Sequence, residues 1–177
     1  MNAEDEAQFQ SFVRTRWTHL VRTAYLLSGD RHHAEDLAQT ALAKAYRSWR
    51  RVNHSDNPDA YVRRILVSCN SDRFRKRRVA ERLTDTPPES ASADPTARVA
   101  QRQVLLDALA GLPARQRAVV VLRYWDDLSE AEVAQALGCS AGTVKSQAAK
   151  GLAKLRTYPG LDVAERHMTM TDHGGVR

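Results

Sequence analysis

The chain has 177 residues, enough for one ordinary domain or two small ones, so a large multidomain enzyme is excluded. Apolar residues make up 42% and charged residues 27%, and the formal net charge of +6 favours a polyanionic partner. Cys69 and Cys139 lie far apart and have no Cys or His at metal-ligand spacing, so neither a disulfide framework nor a zinc site is expected.

The charge is distributed unevenly along the chain. Residues 1–80 carry +6 and 98–156 carry +4, whereas 81–97 carry −3 and 157–177 carry −1. The N-terminus opens with acidic side chains, and no apolar run approaches the ~18 residues that a membrane span needs. We therefore expect a cytoplasmic protein with no membrane contact, in which two basic blocks flank an acidic joint.

Three amphipathic helices are predicted in residues 8–80. Apolar residues recur at three- and four-residue steps from Phe9 to Tyr25, and again from Ala34 to Trp49. After a short polar segment, residues 52–56, Asn57 is a predicted N-cap and Pro58 the first residue of a third helix. That helix ends in a dense cationic run, and the three helices form the first predicted domain.

The rest of the chain divides into an acidic linker, a second helical domain and a tail. Residues 81–97 are rich in Pro and Ser and too poor in apolar side chains to bury a core, which predicts a flexible linker. In the second domain, 98–157, a helix ends near Gly111 and Pro113 restarts the next one at a first-turn position. Residues 119–122 fit a strand or a helix, and helix is favoured because no partner strand is predicted. The predicted fold is all-α, with two small domains and a tail at 158–177.

A helix-turn-helix is predicted near the end of the second domain. Ser129 and Glu132 form a capping box, Gly138 suits the left-handed residue that closes a helix, and Ser140 offers the next N-cap. The second helix presents polar and basic side chains outward, as a recognition helix in the major groove requires. These are Thr143, Lys145, Ser146, Gln147, Ala149 and Lys150. The alternative is an ordinary αα-hairpin with a solvated outer face.

Two segments resemble conserved regions of bacterial sigma factors. Residues 33–49, HAEDLAQTALAKAYRSW, are similar to region 2.2, and residues 112–156 are similar to region 4, including LRYWDDLSE and GTVKS. The layout of two helical modules and one linker resembles the extracytoplasmic-function group of the sigma-70 family. Within that group, VKSQ followed by AAKGL resembles the actinobacterial SigE-like subfamily.

The resemblance implies a set of partners and contact residues. Asp36, Leu37 and Gln39 match the residues that dock a sigma factor on the β′ clamp helices of core RNA polymerase, and Pro113 would touch the β flap. Residues 52–57 would form the loop that captures a flipped base of the −10 element of promoter DNA. The cations and polar group of the third helix would follow the opened strand: Arg63, Arg64, Ser68, Arg73, Arg75, Lys76, Arg77 and Arg78. The outward face of the recognition helix would read the −35 element, and an anti-sigma factor is a further partner to consider.

Other classes of function have weaker support. The adjacent His32 and His33 diverge on a helix, so with Glu35 and Asp36 they do not predict a metal site. No phosphate loop or nucleophile motif is present, and we expect no cofactor and no enzymatic activity. The main alternative is a stand-alone helix-turn-helix regulator that binds a palindrome as a dimer. An RNA-binding adaptor would use the same cations but lacks a predicted aromatic-bearing sheet.

Overall fold

A computed structural model of the chain describes residues 2–81 and 97–161, with side chains described for 2–72 and 100–161. All the regular elements in these ranges are helical. They are α1 (Ala3–Ser28), α2 (Arg31–Arg47), α3 (Trp49–Asn53), α4 (Pro58–Glu81), α5 (Ala97–Ala110), α6 (Ala114–Val120), a π-helical turn (Val121–Trp125), α7 (Glu130–Leu137) and α8 (Ala141–Arg156). None of these helices is long and apolar enough to cross a membrane.

The first helix starts earlier than its apolar stripe. Asn2 caps α1 by accepting from the Asp5 N–H at 2.7 Å, and the Asp5 carboxylate accepts from the Asn2 N–H at 3.1 Å. This capping box satisfies two of the backbone donors that a helix start leaves open. The helix ends at Gly29, whose φ of +76° is the left-handed conformation that favours glycine.

The first module is built on α1, α2 and α4, which pack against one another. Its core contains Leu20, Leu27, Leu37, Leu42, Trp49, Val62 and Leu66, each at most 5% exposed. The Trp49 ring lies edge-on to Phe9 at 5.1 Å between ring centres, and 5.3 Å from Phe12. The predicted stripes of the first two helices therefore face this core.

The prediction of three helices in this module is incomplete. The short helix α3 lies between α2 and α4, and it includes Val52 and Asn53, which the sequence placed in a polar connection. Trp49 and Val52 lie three residues apart, and both are buried, at 2% and 0% exposure. Burying this pair on one face of a helical turn explains why the segment is helical.

The second module runs from α5 to α8. Residues 119–122 are helical, as favoured, with α6 ending at Val120 and the π-helical turn following it. Pro113 is the N-cap of α6 and not its first helical residue, because its ψ of 141° is extended. At Gly151, α8 approaches α6 so closely that an added Cβ would lie 2.8 Å from Val120 Cγ2.

The two modules pack against each other, which the sequence did not predict. Helix α1 contacts α5, α6 and the π-helical turn, and α4 lies along α7. The Arg102 guanidinium of α5 lies 5.2 Å from the centre of the Tyr25 ring of α1. Most of the predicted linker, 82–96, and of the predicted tail, 162–177, lies outside the described residues.

Candidate nucleic-acid interface

The helix-turn-helix has the caps that the sequence predicted. Ser129 accepts from the Glu132 N–H at 3.2 Å, and Glu132 accepts from the Ser129 N–H at 2.8 Å. Gly138 ends α7 with a φ of +62°, and the Ser140 side chain caps α8 by accepting from the Thr143 N–H at 3.1 Å. The hydrogen bond from the Ser129 backbone N–H lowers the pKa of Glu132 below its usual range.

The outer face of α8 is available to a ligand. Val144, Ala148 and Leu155 point into the core of the module, at 0%, 8% and 7% exposure. The predicted DNA-facing residues lie on the other side: Lys145, Ser146, Ala149 and Lys150 are exposed, and Thr143 and Gln147 are half-buried. A buried stripe on one side and mixed cations, hydroxyls and amides on the other is the arrangement of a recognition helix.

The predicted DNA contacts of α4 fall into three groups. Arg64 and Ser68 are exposed on α4, whereas the Arg63 side chain is only 14% exposed and lies against α7 and the π-helical turn. The run of predicted contacts at Arg73, Arg75, Lys76, Arg77 and Arg78 is helical, since α4 continues to Glu81, but its side chains lie outside those described. The start of α4 is as predicted, because Asn57 Oδ1 accepts from the Ala60 N–H at 3.0 Å.

A groove beside α4 adds residues that the sequence reading missed. It has a volume of about 490 Å³ and is lined by Lys44, Ser48, Arg51, Tyr61, Arg64, Ile65 and Ser68. Three cations and a half-buried tyrosine ring in one open groove suit a sugar-phosphate backbone with a base stacked on the ring. Lys44, Ser48 and Arg51 are spaced at four and three residues, a helical periodicity that could have indicated their shared face.

The residues predicted to dock on the polymerase differ in exposure. Asp36 and Gln39 are exposed on α2, three residues apart and therefore on one face. Leu37 is 4% exposed and belongs to the core of the first module, so its side chain holds α2 in place and does not reach a partner. Pro113 is exposed at the N-terminus of α6, in the other module.

The structure brings no metal-binding group together in the part of the chain that it describes. No cluster of three or more His, Cys, Asp or Glu side chains is found there that could hold a metal ion. Cys69 and Cys139 are both free thiols. The candidate sites in the described residues are surfaces with cations and hydrogen-bonding groups, which suit a polyanionic ligand.

Comparison with known proteins identifies the two modules. The family model for sigma-70 region 2 matches residues 12–79, and the model for sigma-70 region 4 matches residues 102–155. The chain is 44% identical over 149 residues to the RNA polymerase sigma-E factor of Streptomyces coelicolor, covering 84% of each chain. It is 33% identical over 155 residues to the ECF RNA polymerase sigma factor SigM of Mycobacterium tuberculosis, covering 86% of this chain and 78% of that one.

Solved structures agree with this assignment. The chain superposes on the sigma factor RpoE in complex with the anti-sigma factor NepR from Bartonella quintana with a TM-score of 0.76 at 26% identity. That match covers 88% of this chain and 98% of the other. CnrH, solved in complex with the cytosolic domain of CnrY, has the same fold, with a TM-score of 0.59 at 21% identity. The matched regions and relatives together show that the chain belongs to the sigma-70 family, as a SigE-like member of its extracytoplasmic-function (ECF) group.

Proposed function

We propose that the protein is a dissociable sigma subunit that binds core RNA polymerase and directs it to promoters, where it recognises the −35 duplex and the −10 element and assists melting. One observation carries this proposal: the chain presents two separate cationic faces, on α8 and beside α4, within modules that match sigma regions 4 and 2. It is an initiation factor and not an enzyme, and it acts by positioning polymerase and DNA.

Region 2, residues 8–80, contacts both polymerase and DNA in this proposal. The exposed Asp36 and Gln39 of α2 dock on the β′ clamp helices, while the buried Leu37 seats α2 against α1 and α4. The groove beside α4 is lined by other residues of the same module. A module that contacts the polymerase and the DNA through different residues can hold the two in a defined register.

The −10 element is held as a single strand. Melting exposes bases, and a cationic groove with an aromatic ring stabilises the opened strand more than the duplex, because only unpaired bases can stack on the ring. Arg64, Arg51 and Lys44 contact phosphates, and Tyr61 offers the ring. Since Val52 and Asn53 belong to α3, the loop available to capture a flipped base is residues 54–57.

Region 4, residues 98–157, reads the −35 element. Lys145, Ser146 and Ala149 face the base edges, while Thr143 and Lys150 contact phosphates, with Gln147 beside them. Pro113, at the start of α6, contacts the flexible tip of the β flap. Residues 81–97 connect the two regions, so that two weak DNA contacts act together once both modules are held by the polymerase.

The location and a further partner follow from this role. A subunit of RNA polymerase works in the cytoplasm, where the genome of a bacterium lies. The superposition on a sigma factor bound to an anti-sigma factor supports an anti-sigma factor as a third class of partner for this chain.

Transcription in vitro tests the proposal directly. Core RNA polymerase is incubated with fragmented genomic DNA, with and without the protein, and the 5′ ends of the transcripts are mapped. We expect new start sites that share two upstream motifs, one for each DNA-binding module. No new starts, together with binding of the free protein to palindromic duplexes, would instead identify a stand-alone regulator.

A pair of neighbouring acidic residues tests the polymerase contact. Asp36→Ala should weaken binding to core polymerase by about tenfold or more, because charged contacts at an interface contribute on this scale. Glu35→Ala is the matched control, since Glu35 is also exposed on α2 but lies outside the docking set. Equal losses in both variants, or loss of helix content in Asp36→Ala, would contradict the assignment of Asp36.

A further inference from the structure

A second groove adjoins the groove beside α4. It has a volume of about 520 Å³ and lies at the corner where α2 ends and α3 begins, so we call it the corner groove. Ser48 and Arg51 line both grooves, which are therefore neighbours on the surface of region 2. The lining residues of the corner groove are consecutive in the sequence: Tyr46, Arg47, Ser48, Trp49, Arg50 and Arg51.

The corner groove repeats the composition of its neighbour. Each groove contains one tyrosine and three cationic side chains, and none of the residues described as lining either groove is acidic. Arg47, Arg50 and Arg51 are exposed, and Tyr46 is 40% exposed. Cations that follow a phosphate backbone, together with an aromatic ring on which a base stacks, are what a groove for single-stranded nucleic acid requires.

The Tyr46 ring is held in place by α1. Its hydroxyl donates to Glu6 Oε2 at 2.8 Å, and the Phe9 ring lies edge-on to it at 4.9 Å between ring centres. The hydrogen bond to Glu6 raises the pKa of Tyr46, so the phenol stays neutral and does not repel a phosphate. A ring that is fixed before binding loses little conformational entropy when a base stacks on it.

The Arg50 guanidinium is fixed in the same way. Its Nε donates to Asp5 Oδ2 at 2.9 Å, and this hydrogen bond lowers the pKa of Asp5, so the carboxylate stays ionised. The Arg50 side chain is 66% exposed, whereas that of Asp5 is only 12% exposed. The terminal amino groups of Arg50 have no partner among the described residues, so they are available to a phosphate. Asp5 and Glu6 are therefore positioning residues for the groove.

The order of the grooves gives the corner groove a place along the DNA. Arg64 and Ser68 line both the groove beside α4 and a cleft between α4 and α7 of region 4. Ser48 and Arg51 connect the groove beside α4 to the corner groove. The three sites thus follow one another outward from region 4, which binds the upstream −35 element in the proposed function. The corner groove, the last of them, faces the downstream side of the −10 element.

We propose that the corner groove is a second binding site for the opened promoter strand and takes the nucleotides immediately 3′ of the −10 element in the non-template strand. One base stacks on Tyr46, while Arg47 and Arg50 contact phosphates. The site accepts any sequence, because every base has a face that can stack. The inference rests on the proposed function, since that function places the −10 element in the groove beside α4.

Binding of the complex with core polymerase to three labelled oligonucleotides tests this site. The first carries only the −10 motif of a promoter mapped by transcription in vitro. The second adds a short run of thymidines at the 3′ end, and the third adds the same run at the 5′ end. By fluorescence anisotropy, the wild-type complex should bind the 3′-extended strand about tenfold more tightly than the motif alone, the scale of one stacked base.

Two variants remove the proposed contacts. Tyr46→Leu removes the ring and keeps an apolar side chain beside Phe9, and Arg47→Gln removes an exposed charge. Each should reduce the gain from the 3′ extension to about threefold or less, and leave the affinities for the other two oligonucleotides unchanged. For Arg47→Gln, the slope of log affinity against log salt should fall by about 0.7 on the 3′-extended strand, as one lost phosphate contact predicts. Arg22→Gln, exposed on α1 outside both grooves, is the matched control and should change none of these values.

The proposal is overturned if the 3′ extension adds no affinity in the wild type, or if the gain survives in both variants. It is also overturned if the variants weaken binding to core polymerase itself, because the corner groove would then be a protein contact. Circular dichroism checks the helix content, and if Tyr46→Leu loses it, Arg47→Gln decides. Failure of the sigma role has a different signature: core polymerase with the protein would bind the −10 strand no better than core polymerase alone.

Discussion

Replacing Gly151 with alanine should destabilise the protein, although alanine is the better helix former. Both Gly151 and Gly142 lie in α8, but only Gly151 faces another helix at close range. A Cβ at position 151 would lie 2.8 Å from Val120 Cγ2 and 3.6 Å from Gln116 Cβ. At position 142 the nearest atom would be Ser140 Oγ at 3.9 Å, an ordinary contact.

The magnitude follows from two opposing effects. Glycine to alanine inside a helix is favourable by roughly 1 kcal/mol, whereas forcing an extra methyl into a packed core costs about 1–3 kcal/mol. Val120 is buried and β-branched, so it has no alternative rotamer that moves Cγ2 away easily. We therefore expect Gly151→Ala to lower the free energy of unfolding by about 1 kcal/mol, and Gly142→Ala to leave it unchanged or raise it slightly.

Urea unfolding followed by far-UV circular dichroism measures both variants. A double-mutant cycle with Val120→Ala isolates the clash: the loss caused by Gly151→Ala should be smaller in that background, because the clashing methyl is absent. The reasoning is refuted if Gly151→Ala is at least as stable as Gly142→Ala, or if its effect is the same with and without Val120.

Two further predictions concern DNA binding and pH. Lys145→Gln should weaken holoenzyme binding to promoter DNA and reduce the slope of log affinity against log salt by about one. Arg14→Gln removes an exposed charge from α1, which has no assigned DNA contact, and should change neither; equal effects of the two variants would contradict the assignment of Lys145. The hydrogen bond from the Ser129 backbone N–H lowers the pKa of the Glu132 carboxylate in the folded state. The stability that this carboxylate contributes is therefore complete above the usual pKa of glutamate, and it is lost as the pH falls through the lower pKa of the folded state. Glu132→Gln retains an acceptor for the cap, so the free energy of unfolding in urea should fall less steeply below about pH 4 in this variant than in the wild type. An unchanged pH profile would show that the Glu132 carboxylate contributes nothing to stability.

Local rules explain what the sequence predicted correctly. The caps at Ser129 and Ser140 and the turn at Gly138 involve residues at most a few positions apart, so residue type and spacing were sufficient. The helical state of residues 119–122 followed from the absence of a partner strand in the sequence. Family resemblance then connected these elements to sigma regions 2 and 4, which the family models confirm.

Long-range contacts explain the features that the sequence did not predict. Thr23 Oγ1 donates a hydrogen bond to Asp126 Oδ1, 103 residues away, and no periodicity relates the two residues, so the contact between the modules required three-dimensional coordinates. The groove beside α4 combines Lys44, Arg51 and Tyr61 from three helices, whose relative placement is set by packing. The capping box at Asn2 was overlooked because the apolar stripe of α1 starts only at Phe9.

The π-helical turn at residues 121–125 makes this region sensitive to changes in length. The Asp126 N–H bonds to the Val121 carbonyl five residues back, so the turn holds one residue more than an α-helical turn would. Deleting one residue there would restore α-helical pairing and rotate everything downstream by about 100° relative to α6. Asp126 would then turn away from Thr23, and the helix-turn-helix would change its orientation. Single-residue deletions should therefore be far less tolerated in this turn than substitutions at its exposed side chains, Tyr124 and Trp125.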